Sequence, residues 1–145
     1  KRVEGSIYKT HDKYLKFDTY QNKNPFYKNK SFDIYIVKGS SNYIRLVFTY
    51  LGEDWIFFDK AIFLNKKDET FKCSLDYLDK TTDVLSANKV LEIAGLVITR
   101  EEAIELKRVL EGGFVRLKLL GKGSKTYLLK TKGLIQILDY YLNNM

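Results

Sequence analysis

The sequence predicts an α+β domain: a mainly antiparallel, sandwich-like sheet core with two helices from the C-terminal half packed on it. Three observations predict it. Apolar and polar residues alternate through much of 32–75, the period of half-buried strands. A Thr99-x-x-Glu102 spacing opens an amphipathic run that stops at Gly112-Gly113. Leu134, Ile137, Leu138 and Tyr141 then repeat at i, i+3, i+4 and i+7, a stripe suited to docking on a sheet. At 145 residues the chain fits one domain. Its 45% apolar and 30% charged residues place it among globular chains, since disordered ones lack apolar residues and membrane spans lack charge.

Taken in order, 1–31 is a polar N-terminal segment rich in Lys, Asn and Tyr and holding the only proline, Pro25. A first strand is expected at Tyr14 to Thr19, where Leu15 and Phe17 alternate with Lys16 and Asp18, and a loop from Gln21 to Ser31. Residues 32–145 form the α+β domain proper. Phe32, Ile34 and Ile36 share one face of a strand ending near Val37, and Gly39 to Asn42 turn the chain. In Tyr43 to Leu51, Ile44, Leu46, Phe48 and Tyr50 face one way; Tyr43, Arg45, Val47 and Thr49 face the other.

The corner Gly52-Glu53-Asp54 then leads into Trp55 to Leu64, apolar on both faces apart from Asp59-Lys60. The expectation is a β-hairpin at the centre of a packed sheet, covered on both sides, with a bulge at Asp59-Lys60. Phe71 to Leu75 reads as a short return strand and Asp76 to Asn88 as a polar loop; Lys89 to Thr99, apolar enough for a buried strand or a helix, is tilted toward strand by Gly95, Val97, Ile98 and Thr99. A helix follows to about Glu111 with Ala103, Leu106, Val109 and Leu110 inward. Val115, Leu117 and Leu119 alternate against Arg116 and Lys118, Gly121 to Ser124 make a hairpin turn, and Thr131 is placed to cap the last helix.

Charge and motif narrow the chemistry. The net charge is +7, from 25 basic and 18 acidic residues, and arginine supplies only five of the cations, which weakens any case for sequence-specific base readout. Lys1 to Lys30 holds eight basic residues against Glu4, Asp12 and Asp18, whereas Phe114 to Lys132 holds six and no acid. Arg116, Lys118, Lys122, Lys125 and Lys130 are therefore the candidate contacts for a polyanion or partner, against the plainer reading of a solvated sheet face and hairpin tip. One histidine, His11, cannot build a triad or a two-histidine metal site within a chain, and reads as a surface residue. Cys73 excludes an internal disulfide and reads as a small buried residue. Asp54 and Asp59 read as turn and bulge residues, not a catalytic pair. Asp76, Asp79 and Asp83 lack the glycine and distal glutamate of an EF-hand loop. Gly121-Lys122-Gly123-Ser124 is not a phosphate loop, because Arg116 stands where the first glycine belongs and a strand follows. Neither a cofactor nor a metal is expected. The first residue, Lys1, stands where an unprocessed chain would have Met, and a removed segment ahead of it is expected, whether a secretory or lipid signal or an expression trim.

The order Arg45 to Leu64 with Gly52-x-Asp54-Trp55-Ile56-Phe57, the apolar strand Lys89 to Thr99, the capped helix, the strand Phe114 to Gly121 with Val115-Arg116-Leu117, and the last helix resembles a group of uncharacterised bacterial envelope and lipoprotein domains. They share a D-W-x-F hairpin and a later R-x-x-x-x-G strand, and the resemblance covers roughly residues 32–143. It implies an exported or surface-anchored α+β domain with no assigned activity, in which Trp55 and Phe57 are core anchors and Arg116 is a structural or surface arginine. The leading expectation is accordingly a non-enzymatic envelope domain that binds a protein or ligand partner and meets the membrane only through a removed N-terminal anchor. The alternative is an intracellular polyanion- or nucleic-acid-binding domain using the basic 114–132 hairpin.

Overall fold

In the computed structural model, which describes residues 1–75 and 80–145, the alternating runs sort into two antiparallel sheets. The strands are β1 (Arg2–Glu4), β2 (Ile7–Asp12), β3 (Phe17–Asn22), β4 (Phe32–Lys38), β5 (Asn42–Gly52), β6 (Lys60–Leu64), β7 (Thr70–Ser74), β8 (Lys80–Ser86), β9 (Lys89–Ile98), β10 (Arg116–Leu120) and β11 (Ser124–Leu128); the helices are α1 (Arg100–Glu111) and α2 (Lys132–Asn144). Seven strands form the large sheet in the order β1-β2-β3-β4-β5-β9-β8, and four form the small one in the order β11-β10-β6-β7. The α+β class and the antiparallel sheet core are as the sequence predicts.

The core lies between the large sheet's inner face and a layer made of both helices and the small sheet. Ile34, Ile36, Ile44, Leu46 and Phe48 point in from the large sheet, and Ala61, Phe63, Leu117 and Leu119 from the small one, all fully buried. Aromatic rings join the two. Phe63 packs 5.0 Å from Phe32 and 6.0 Å from Phe48 across the sheets, and 6.1 Å from Phe71 within its own. Such pairs add to burial through edge and offset contacts.

The predicted hairpin between Tyr43–Leu51 and Trp55–Leu64 does not form. β5 pairs instead with β4 on one side and with β9 on the other, residue for residue from Ile44↔Ile98 to Gly52↔Val90. Both edges of β5 are thus filled by long strands of matching alternation, and the chain after Gly52 crosses to the second layer. Only Lys60–Leu64 of the second run is strand. Residues 55–59 are irregular there, with Ile56 and Phe58 buried, Trp55 partly buried and Phe57 about half exposed. Phe57 is therefore not a core anchor, because the break in alternation turns its ring outward while its two neighbours go in.

The N-terminal segment adds to the large sheet, β3 pairing with β4 through Asp18↔Lys38 to Gln21↔Tyr35. The expected strand at 14–19 begins later, at Phe17, because the Asp12 carboxylate accepts the amides of Tyr14 and Leu15 and holds a turn there. Lys80–Ser86, expected as loop, is an edge strand on β9; its exposed residues leave no apolar alternation to read. Asp76 and Asp79 lie outside the described residues.

The helix starts differ. At α1 the full capping box is present: Glu102 N–H donates to Thr99 Oγ1 at 3.1 Å and Thr99 N–H to Glu102 Oε1 at 2.9 Å. Gly113, at φ +83°, lets the chain leave this helix. Thr131 precedes α2 but makes no side-chain cap, since its backbone is already helical (φ −100°, ψ −19°) and not extended as a capping residue requires. Leu134, Ile137, Leu138 and Tyr141 are buried as their spacing predicts. Asn65, buried at the β6–β7 turn, donates to the Val109 carbonyl and accepts from Lys67 and Glu69 N–H, fastening the small sheet to the end of α1.

Candidate functional site

Each sheet keeps one face open, and the small sheet's is chemically one-sided. Strand pairing aligns its outward residues in three rows: Leu128, Arg116, Leu64 and Thr70; Thr126, Lys118, Ile62 and Lys72; Ser124, Leu120, Lys60 and Ser74. Those twelve positions hold four cations, four hydroxyls, four aliphatic side chains and no carboxylate. Residues two apart along a strand sit about 7 Å apart and neighbouring strands about 4.8 Å apart. Among the described residues, these paired positions place no carboxylate beside the cations. Ile62, Leu64 and Leu120 are half-buried between them, and the lysine stems supply further apolar cover.

The five basic residues singled out in the sequence do not all gather here. Arg116 and Lys118 lie on this face beside Lys60 and Lys72. Lys122 sits at the β10–β11 hairpin tip, its ammonium 5.4 Å from the centre of the Phe57 ring, within cation–π range. Lys125 pairs with Leu119 and belongs to the alternate, core-side set of β11, emerging only at the strand's end. Lys130 is turned away: its N–H donates to Asn29 Oδ1 while Asn29 Nδ2 donates to its carbonyl, both at 2.8 Å. It shares with Lys28 and Lys30 a cleft of about 530 Å³ beside the large sheet, where Asp33, Tyr35 and Thr49 also line the wall. Burial holds the Asp33 carboxyl above its ordinary range there, against the lowering pull of the Ile34 amide, Gln21 and Lys28. Lys60 and Lys72 escaped the sequence reading because each is isolated in the chain. Their signal was alternation, as in Phe71-Lys72-Cys73.

At the Lys60–Leu120 end of the face the backbone is unusual. Phe57 has φ +47°, a region bulky residues rarely occupy. The cause lies on β9. The Glu92 carboxylate, buried from solvent, accepts three successive amides, from Ile56 at 2.8 Å, Phe57 at 3.1 Å and Phe58 at 3.2 Å. A carboxylate with three N–H donors is a strong local restraint. Gly121 completes it, since any Cβ at that position would overlap the Phe57 carbonyl. Trp55 stacks on Phe57 with ring centres 5.7 Å apart and planes 16° apart. Glu92 was missed in the sequence; its only mark is a lone acid at an inward position of an apolar strand.

The other reactive side chains are accounted for by packing. Burial pushes the Cys73 thiol up to about 12, leaving it protonated at neutral pH. His11 Nδ1 meets Asp18 Oδ1 at 2.6 Å on the surface of the large sheet. Asp83 is exposed on β8, and among the described residues no three His, Cys, Asp or Glu side chains converge as a metal-ligand group. Comparison with protein-family models, with curated proteins and with solved structures gives no match to this chain.

Proposed function

We propose that this protein is a non-catalytic binding domain that holds an anionic polymer on the open face of its four-stranded sheet. The observation that supports it is the composition of that face: Lys60, Lys72, Arg116 and Lys118 among twelve outward positions with no carboxylate. With 18 acidic residues in the chain, an acid-free face concentrates the protein's positive field where a polyanion meets several cations at once. Lysine predominance suits a ligand that presents repeated charge without a fixed bidentate geometry.

Binding of labelled heparin, a thymidine oligonucleotide and polyphosphate, measured by anisotropy from about 50 to 300 mM salt, tests the reading. Affinity is expected to fall with a log–log slope of roughly −0.7 to −0.9 per nucleic-acid phosphate neutralised, with a comparable dependence for the other polyanions. Lys72→Glu with Lys118→Glu should weaken all three by about tenfold or more, while Lys9→Glu with Lys13→Glu, equal in charge change but on β2 and the β2–β3 turn, should not. Salt-independent binding, or equal losses in both double variants, would dismiss this function.

A second reading is favoured by the large sheet. Its open face carries Leu51 and Val97, 49% and 51% exposed, beside half-buried Tyr35, Tyr43, Val47 and Ile93 around Arg45. A protein partner docked there, on an exported and anchored domain of the kind the resemblance implies, would cover this apolar area. Mass spectrometry of the N-terminal peptide from native cells tests the export: a signal-cleaved or lipidated end supports it, and an unprocessed cytoplasmic end removes it.

A further inference from the structure

Phe57 and Phe114 share two features that packing alone does not favour. Both have left-handed backbone, at φ +47° and +52°, and both expose their rings, by 47% and 69%. A bulky side chain in that region is sterically disfavoured and persists where the surroundings hold it. At Phe57 the holding is elaborate: the buried Glu92 carboxylate grips the amides on both sides of it, and Gly121 makes room for its carbonyl. The outcome is a ring displayed to solvent.

The two rings bracket the cationic face. Phe57 lies past its Lys60–Leu120 end, where Asp59 N–H donates to the Leu120 carbonyl and Gly123 N–H to the Ile56 carbonyl. Phe114 lies past the opposite end, two residues before Arg116, where Lys66 N–H donates to the Gly113 carbonyl. Strand β10 runs between them, so along it Arg116 and Lys118 fall between two exposed aromatic residues. Lys122, above the Phe57 ring, adds a cation at that end.

We propose that the anionic polymer is an acidic polysaccharide, its charged groups lying along Arg116, Lys118, Lys60 and Lys72 and its sugar rings packing their C–H faces on Phe57 and Phe114. This rests on the polyanion reading above. Three observations favour a glycan over a single-stranded nucleic acid. The middle of the face offers Ile62 and Leu64 and no aromatic, so successive bases find no stacking platform along the track. Its two flanking strands present Thr70, Ser74, Ser124 and Thr126, hydroxyls that both donate and accept, as a hydroxylated chain requires. Three of its four cations are lysines, point charges suited to scattered carboxylates or sulfates more than to bidentate phosphate or base contacts.

The experiment compares the wild type with Phe57→Leu, Phe114→Leu and the double variant, each first checked for an unchanged thermal midpoint. The ligands are heparin and alginate, which carry sugar rings; polyphosphate, which carries none; and a thymidine oligonucleotide. Each substitution is expected to weaken heparin and alginate about three- to tenfold while leaving polyphosphate affinity and its salt slope unchanged. Equal losses on polyphosphate, or none on any ligand, would overturn the ring contacts while the charge-based reading stood. An oligonucleotide bound more tightly than heparin, with the larger loss on ring removal, would overturn the glycan in favour of nucleic acid. No salt-dependent binding by the wild type would remove the underlying reading itself. Should Phe57→Leu fail to fold, Phe114→Leu decides alone, since its ring is the more exposed.

Discussion

The large and small sheets have the same construction on their inner faces and opposite chemistry on their outer ones. Inside, both present fully buried aliphatic and aromatic residues, Phe48 and Leu46 on one and Phe63 and Leu117 on the other. Outside, the small sheet sets four cations among hydroxyls and aliphatics. The large sheet mixes Arg45 with Asp33, Tyr35 and Tyr43, and hydrogen-bonds its polar groups to one another, Gln21 Nε2 reaching both Asp33 and Tyr35. Inner faces answer to packing, which many residue sets satisfy; outer faces are free of that demand. The difference between the sheets is therefore what the proposed polyanion binding rests on.

The largest effect should come from crossing from outside to inside on a single strand. Phe63→Ala removes a ring shared between the sheets and is expected to cost about 3–5 kcal/mol in urea unfolding, whereas Ile62→Ser, its outward neighbour, should change stability by about 1 kcal/mol or less. Comparable losses at both positions would mean that the small sheet's outer face is covered. Next in size is the junction between the sheets. Glu92→Leu leaves the amides of residues 56–58 without their acceptor and should cost about 1–3 kcal/mol; under the proposed polyanion binding it should also weaken heparin binding, because the Phe57 backbone loses its hold. Full stability in that variant would show that water or a rearranged loop satisfies those amides.

The last effect is absent at neutral pH and appears only in alkali. Cys73 faces inward on β7 and Tyr127 inward on β11, and burial raises both, each to about 12 from ordinary values of 9.0 and 10.0. Both groups stay protonated in the folded state while the unfolded chain ionises, so the unfolded state loses protons first and stability falls as pH rises from about 9 toward 12. Below about pH 8 neither contributes an appreciable slope. Urea midpoints at pH 8, 9, 10 and 11 should be level at first and then decline, and Cys73→Ser should shallow the early part of the decline. A midpoint flat to pH 11 would show that the inner face of the small sheet admits water.

Much of the fold was legible in the chain because its signals are local. Phe32 to Val37, Tyr43 to Leu51 and Arg116 to Leu120 alternate with the period of strands, β-branched residues mark Lys89 to Ile98, and Thr99 with Glu102 marks a helix start that the structure reproduces atom for atom. The largest error, the expected hairpin, falls where the neighbour in space is distant in sequence. Gly52-Glu53-Asp54 has the look of a hairpin corner, but whether β5 pairs with the next run or with β9 depends on the whole apolar register of residues 90–98. Lys80 to Ser86 carries no alternation because both its faces meet solvent. Of the candidate site, Arg116 and Lys118 were visible as neighbours on one strand. Lys60 and Lys72 were not, since only pairing through Ile62 and Leu120 brings them alongside.

By itself, then, the amino-acid sequence determined both helices, most of the central strands and which of their faces must be buried, because periodicity and capping are written over a few residues and burial follows from them. Tertiary structure alone decided that two runs joined by a tight corner belong to different sheets, that four scattered cations share one acid-free face, and that a buried glutamate on β9 holds Phe57 outward. Each of those is a long-range pairing, set by the competition of whole strands for one another's edges, and no local pattern in the chain expresses it.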